Sequence, residues 1–477
     1  MAKKKNIRVL SENGAKKSAK ETPISMSMAL LDKKIVAMSV FLIIILGFIV
    51  YANTLNGGFL WDDYYLVSEN LRIRSLLNIP KIFTENVGAG ALENYHAYRP
   101  VQTASFALDY SLWKLDVFGY HLTNILLHIF AALSFYWLIN LIYARNNIAL
   151  FASLLFLVHP IHTEAVAYIS GRADPLSAVF MLLCLIFYIK SLDAERPAAG
   201  AVVMLTYALA LFSRESSLIL PFLILLYHFA FKKEFKLRRF LPVAGMALLY
   251  IILRVTVFES LLTHIDDSST LLQRIPGFFV ALANYLRLLV FPFSLHMEYG
   301  QKLFLWTYPA VALGMVLMIA LIIMAFKIKK GGNIVFFSFF WFLISLIPVS
   351  NIYPLNAYMA EHWLYVPSMG MFLLAGKAID HFFREKKYMI FVTVGFAVTL
   401  LFYSAVTFRM NSYWANPYKF YLRLISYVKD SEKAYNNLGV ILAQKKDYAG
   451  ALEYFNRALS INPSWEEAYF NLGKAYR

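Results

Sequence analysis

Apolar runs of roughly 20 residues, the length that crosses hydrocarbon, recur along most of this chain, separated by short polar links. Runs near 35–54, 120–142, 147–165, 175–191, 200–213, 215–231, 239–257, 308–327, 333–350, 362–379 and 388–408 predict eleven membrane-spanning helices. Basic links orient them, because cytoplasmic loops carry the excess of Lys and Arg. The N-terminal tail, YARNN (143–147), FKKEFKLRR (231–239), KIKKGG (327–332) and REKKY (384–388) fall on one side. Residues 55–119, the loop HPIHTEAVAYISGRADP, the SRESS turn and residues 351–361 then face the other. Residues 278–295 are apolar enough to span, yet a span there breaks this parity. They read as a re-entrant or interfacial helix inside an outer segment 258–306, since irregular backbone is tolerated at membrane depth when protein covers it.

Two segments depart from the pattern. The first outer loop, 55–119, is too long and too polar for a mere connector, and its aromatic-rich amphipathic stretches suit a membrane surface. After residue 430 a helical repeat begins. AYNNLG at 434–439 returns as AYFNLG at 468–473, 34 residues on. Tyr435, Leu438, Gly439, Ala451, Phe455, Ala458 and Pro463 occupy tetratricopeptide positions, and Tyr469, Leu472, Gly473 and Tyr476 restart the unit. Tyr421 lies one period before Phe455, so 417–428 reads as a degenerate half-repeat joining membrane to solenoid. Because about three repeats are needed to bury a solenoid core, a chain stopping at Arg477 reads as truncated or as capped by something else.

The predicted architecture is therefore all-α. A cytoplasmic basic tail (1–34) precedes a polytopic helical bundle (35–410) and a tetratricopeptide region (417–477). The N-terminus lies in the cytoplasm and the repeats outside. Composition agrees: of 477 residues 60% are hydrophobic and only 16% charged, against about a quarter charged in soluble domains. The net charge of +16 is accounted for by membrane orientation, so no nucleic-acid partner is expected. The single cysteine, Cys184, allows no intrachain disulfide.

The candidate chemistry sits on the outer face. NGGFLWDDYYL (56–66) sets Asp62 beside Asp63 among aromatics at the membrane rim, where two like charges repel and are costly. A site that uses them explains them better than a polar loop start: one carboxylate takes a proton from a hydroxyl while the other orients it or holds a cation. In the segment 159–175, His159, His162 and Glu164 form a polar constellation, with metal ligation the weaker reading. There Arg172 is expected to pair with Asp174 and to meet a phosphate. SRESS places Arg214 and Glu215 at the surface, Arg214 as a ligand for an anionic head group. Arg99 ends the first outer loop, and Glu361 with His362 stands where a span begins. Acids facing arginines on one face suit a lipid-linked anionic donor whose tail stays in the bilayer.

NGGFLWDDYYL, HLTNILLHIF, LFLVHPIHTEAVAYISGRADPL, SRESSLILP and EHWLYVPSMG, followed by tetratricopeptide repeats, resemble the transmembrane and tetratricopeptide repeat-containing O-mannosyltransferases and their bacterial relatives. The wider superfamily is the GT-C glycosyltransferases. The resemblance covers nearly the whole chain. It implies a polyprenyl-phosphate sugar as donor, usually mannose, inverting transfer to a Ser or Thr hydroxyl of a protein, and a base at Asp62 or Asp63. The residue reading leans to Asp62 as base and Asp63 as its orienting partner. Where the family often has Lys-Glu this chain has Arg214-Glu215, and where it often has Glu-Arg this chain has Glu361-His362. The short outer loops favour a bacterial inner membrane over the endoplasmic reticulum. Alternatives are a GT-C transferase acting on a glycan or lipid, a non-catalytic scaffold presenting repeats, and a transporter, for which the chain lacks internal symmetry. No cofactor is specified; a divalent cation is left open.

Overall fold

A computed structural model describes residues 23–91, 97–192, 197–257, 269–327 and 333–476. Most of the basic tail, the start of the 258–306 segment (258–268), most of the link 327–332 and Arg477 lie outside the described residues. One compact unit ends at Leu42 and holds the start of helix α1 (Pro23–Tyr51); the other runs from Ile43 to Arg477. Among the described residues every regular element is helical.

After α1 come α2 (Pro100–Trp113), α3 (Val117–Tyr143), α4 (Asn146–Val158), the short α5 (Thr163–Ala167), α6 (Ala173–Ser191), α7 (Pro197–Ser213), α8 (Leu220–Phe231) and α9 (Leu237–Val257). Then follow α10 (Leu271–Val290), α11 (Pro309–Lys327), α12 (Asn333–Ser345), α13 (Pro367–Phe383) and α14 (Met389–Trp414). The repeat region holds α15 (Pro417–Tyr427), α16 (Glu432–Gln444), α17 (Tyr448–Ile461) and α18 (Glu466–Ala475).

Among the described residues, six helices are long and apolar enough to cross a membrane, or seven if one bent pair counts as a span. The eleven expected spans divide accordingly. Those at 35–54, 120–142, 175–191, 239–257, 308–327 and 388–408 coincide with long helices. The span expected at 147–165 is broken: α4 stops at Val158 and the chain turns by 54° into the next helical segment. Pro160 is the physical reason, since proline donates no hydrogen bond and its ring clashes with the preceding turn. The runs near 200–213, 215–231 and 333–350 form shorter apolar helices of 10–17 residues, and the span expected at 362–379 is the 17-residue α13, which is not among the helices long and apolar enough to cross. Ser213, Arg214 and Glu215 interrupt what would otherwise be one long run. Helix α10 covers the segment expected to be re-entrant and is not among the helices apolar enough to span.

The first outer loop builds its own small core from Leu66, Val67, Ile73, Ile82 and Val87, against Phe106 of α2, Tyr120 of α3 and Ile169. Arg72 closes it with a two-pronged bond to Glu85, at 2.6 and 2.7 Å.

The repeats obey solenoid logic. Ser431 and Asp447 cap α16 and α17 by accepting from the backbone amides of Ala434 and Gly450. Gly439 lets the two helices meet, since a Cβ there would lie 2.5 Å from the Phe455 ring. The half-repeat expected at 417–428 is α15. Its Phe420, Tyr421 and Leu424 share one core with Ala434 and Leu438 of α16, Leu60, Ala167, Tyr168 and Trp414. The solenoid is thereby seated on the loop that carries the acidic pair.

Candidate active site

The block 159–175 is the floor of the site. From Val158 to Asp174 it is almost wholly buried, so its backbone must find partners. Asn124 of α3 supplies them: its amide donates to the carbonyls of Val166, Tyr168 and Ile169 at 3.2, 3.0 and 3.3 Å. Its oxygen accepts from Arg172 Nε at 2.7 Å. Gly171 permits close packing, because a Cβ there would lie 2.5 Å from the Glu164 carbonyl oxygen.

Arg172 is fully buried. It donates to the Tyr120 carbonyl (2.9 Å) and Ser105 Oγ (3.2 Å), pairs with Asp109 (2.6 Å), and covers the Phe106 ring at 4.5 Å. Two expectations are corrected. Arg172 does not pair with Asp174, and it is spent on the fold rather than presented to a phosphate. Asp174 pairs instead with Arg214. Residues two apart on helical backbone point in different directions.

The acidic pair splits in the same way. Asp63 is 1% exposed. One oxygen accepts from the Leu60 amide at 3.0 Å; the other accepts from the Ser170 amide at 2.8 Å and the Ser170 hydroxyl at 2.5 Å. It clasps the WDD loop to the floor. Asp62 is half-buried and lines a cavity of about 230 Å³. Burial pushes the Asp63 carboxyl up to about 7, despite the bonds from Ser170 and Leu60 that pull it down, and the neighbouring Asp62 charge adds to the rise. Near neutral pH the pair therefore carries less than two full charges, which relieves the repulsion.

A folded pKa above the ordinary carboxylate value means that the folded state binds the extra proton. Asp63 thus favours folding at the acidic side of the window and loses that contribution as pH rises towards about 7. Thermal unfolding midpoints of the detergent-solubilised protein, taken from pH 5 to 8, are expected to fall more steeply in the native protein than in Asp63→Asn. Parallel profiles would contradict this assignment.

The same cavity is lined by Arg99, Glu164, Asp174, Arg214, Glu215 and His362. The structure therefore brings together seven of the candidates, scattered over 300 residues. Arg99 grips Glu215 with two bonds, at 3.1 and 2.7 Å. His362 Nδ1 lies 2.7 Å from Glu164 Oε1, and the His362 amide donates to Glu164 Oε2 at 3.0 Å. Each arginine of the cavity is held in place by an acid, Arg99 by Glu215 and Arg214 by Asp174.

The remaining candidates lie elsewhere. Glu361 accepts from the His296 amide at 2.5 Å and the Tyr299 hydroxyl at 2.8 Å, outside the cavity. Burial pushes its carboxyl well above the usual range. His159 faces the Leu289 carbonyl at 3.2 Å. His162 packs edge-on against Tyr365 at 4.9 Å. Glu164 turns to His362 instead, so the His159–His162–Glu164 trio does not converge, and among the described residues no three His, Cys, Asp or Glu gather as a metal site.

Several contributors were not anticipated. Tyr168 accepts the Asp62 amide at 2.9 Å, and Tyr421 accepts the Trp61 amide at 3.2 Å. Asn124 and Asp109 were also missed, although Asn124 lies in the quoted HLTNILLHIF. Tyr421 was read only as a repeat position, and nothing in a chain with 31 tyrosines marks it or Tyr168 as an anchor of the acidic loop.

Comparison with known proteins adds independent information. The tetratricopeptide repeat family model matches residues 432–464. The protein O-mannosyl-transferase F38B6.6 of Caenorhabditis elegans is 29% identical over 454 residues, covering 89% of this chain and 63% of that protein. The human protein O-mannosyl-transferase TMTC3 is 25% identical over 485 residues, covering 90% of this chain and 52% of the relative. The chain is similar in sequence to these two protein O-mannosyl-transferases along most of its length. It spans between half and two thirds of the length of these two. Among solved structures, ArnT from Cupriavidus metallidurans bound to undecaprenyl phosphate aligns with a TM-score of 0.44 at 13% identity, over 92% of this chain and 76% of that one. The apolar helices agree with the sequence in describing a multi-pass membrane protein.

Proposed function

We propose that this protein is a membrane glycosyltransferase that moves a sugar, usually mannose in its relatives, from a polyprenyl-phosphate donor to a Ser or Thr hydroxyl of a protein. The observation that carries the reading is the single cavity in which Asp62 faces the same space as Arg99 and Arg214. A proton acceptor and cationic anion ligands are the two things this reaction asks of a protein.

The acceptor oxygen attacks the anomeric carbon as the bond from that carbon to the phosphate oxygen breaks. The hydroxyl proton passes to Asp62. The electron pair leaves with the lipid phosphate, whose charge Arg214 and Arg99 stabilise. Attack from the face opposite the phosphate inverts the anomeric centre. A small pocket beside Asp174 and Arg214, lined by Met181, Ile219, Val366 and Pro367 together with Ser216 and Ser345, offers apolar wall to the first units of the lipid. The cavity opens on the extracytoplasmic face, where the solenoid holds the acceptor polypeptide along its concave side. The short outer loops favour a bacterial inner membrane.

Mass spectrometry of exported proteins from cells with and without the gene tests this. Loss of a hexose from Ser or Thr is the expected result. Unchanged proteins with an altered glycolipid or polysaccharide would favour a glycan or lipid acceptor instead.

A further inference from the structure

Three consecutive residues, Trp61, Asp62 and Asp63, are tied down from two distant parts of the chain, the 168–170 floor and the repeat region. Asp63 holds Ser170. The Asp62 amide donates to Tyr168 Oη, and the Trp61 amide donates to Tyr421 Oη. Tyr421 is 360 residues away, on α15 of the repeat region. Its hydroxyl also accepts from the Asn437 amide group at 3.0 Å. The two lone pairs of a phenol oxygen are thus divided between the WDD loop and α16.

Trp61 has φ of +49°, in the left-handed region where a bulky side chain is a genuine outlier. Such a conformation persists only when its surroundings over-determine it. The surroundings here are aromatic. Trp61 stacks on Tyr421 with centroids 6.1 Å apart and planes at 28°. Tyr421 adjoins Phe420 (5.0 Å), Phe420 adjoins Trp414 (4.8 Å), and Trp414 stacks on Tyr168 (5.6 Å). The chain of rings starts at one anchor of the loop and ends at the other. Further ties hold the repeat region in place: Arg423 donates to the Leu295 carbonyl at 3.1 and 2.9 Å, and Ser431 donates to Glu298 at 2.6 Å.

We infer that Tyr421 is a positioning residue for the acidic loop, so that the repeat region completes the transfer site as well as holding the acceptor. This rests on the function proposed above. Asn437 lies on α16, the first full helix of the repeat unit, two hydrogen bonds from the strained Trp61 through the Tyr421 oxygen. A polypeptide engaging Asn437 would therefore act on the backbone that aims Asp62. A solenoid that only tethers acceptor needs none of these contacts.

Tyr421→Phe keeps the ring and its packing while removing the oxygen that serves both donors. In the full-length protein reconstituted with a mannosyl polyprenyl phosphate and a Ser/Thr-containing protein acceptor, kcat is expected to fall roughly 10- to 100-fold, as for a misplaced catalytic group. KM for the lipid donor should stay unchanged, because Arg99 and Arg214 are untouched. Hydrogen exchange of the 59–66 peptide should speed up in Tyr421→Phe. Leu438→Ala, which loosens the same core without touching the hydroxyl, should leave that peptide closer to the native protein. Asn437→Ala gives a second, milder variant with the same direction. Unchanged kcat with a raised KM for acceptor, or unchanged exchange at 59–66, overturns the inference while leaving the proposed function standing. A native protein that transfers nothing to protein overturns the proposed function, and the exchange data still decide whether Tyr421 holds the loop.

Discussion

Asp62→Asn is expected to lower sugar transfer by roughly 10²- to 10⁴-fold, the usual contribution of a positioned general base, while the protein folds and inserts normally. Asp62 is half-buried and lines the cavity, so the isosteric amide replaces it without opening a void. Asp63→Asn should fail differently. Its carboxylate accepts three hydrogen bonds from Leu60 and Ser170, and an amide nitrogen in place of one oxygen would face a donor with a donor. Loss of activity there should come with a looser 56–66 loop and a lower unfolding temperature. Activity and melting curves measured side by side separate the two. Equal, purely catalytic losses in both variants would contradict the division of labour between these neighbours.

The second large effect is on stability. Arg172→Met should destabilise the membrane domain by about 3–5 kcal/mol, the range for removing one partner of a buried ion pair. Arg172 and Asp109 lie 2.6 Å apart with side chains 0% and 7% exposed, so the change leaves Asp109 charged and buried without its cation. Asn124 would lose the donor that fixes its amide, and with it the tie across the 166–169 carbonyls. Arg172→Lys should rescue little, because one ammonium cannot serve Asn124, Tyr120, Ser105 and Asp109 at once. The double variant Asp109→Asn/Arg172→Met should recover part of the loss. Thermal unfolding in detergent reads all three. A native-like midpoint for Arg172→Met would point back to a ligand-binding role for this arginine.

Much of this arrangement is visible in the residues themselves. The 34-residue period marks the repeats, and the alternation of apolar runs with basic links groups Asp62, Arg99, Arg214, Glu215 and His362, which share the cavity. Pairing is where reading along the chain misleads. Neighbours diverge: Arg172 goes to Asp109 while Asp174 goes to Arg214, and Glu361 goes to His296 and Tyr299 while His362 goes to Glu164. Each residue advances about 100° around helical backbone, so adjacent side chains leave in different directions and find partners from distant helices. The broken span at Pro160 was legible only in part. Proline signals a kink, but the 54° turn depends on a buried floor whose carbonyls Asn124 satisfies. The repeat period marks Tyr421 as a solenoid position, but neither it nor Tyr168 carries a local signal for holding the acidic loop, because that use is set by where α15 lands.

The central claim is that the cavity around Asp62 transfers a lipid-phosphate-linked sugar to a protein hydroxyl. Its most direct test is transfer of labelled sugar from a mannosyl polyprenyl phosphate by the purified full-length protein in liposomes, with a Ser/Thr-containing polypeptide as acceptor. The account predicts label on Ser or Thr with the native protein, in inverted configuration, and almost none with Asp62→Asn. Undiminished transfer by Asp62→Asn, or label recovered solely on lipid or glycan, would contradict it.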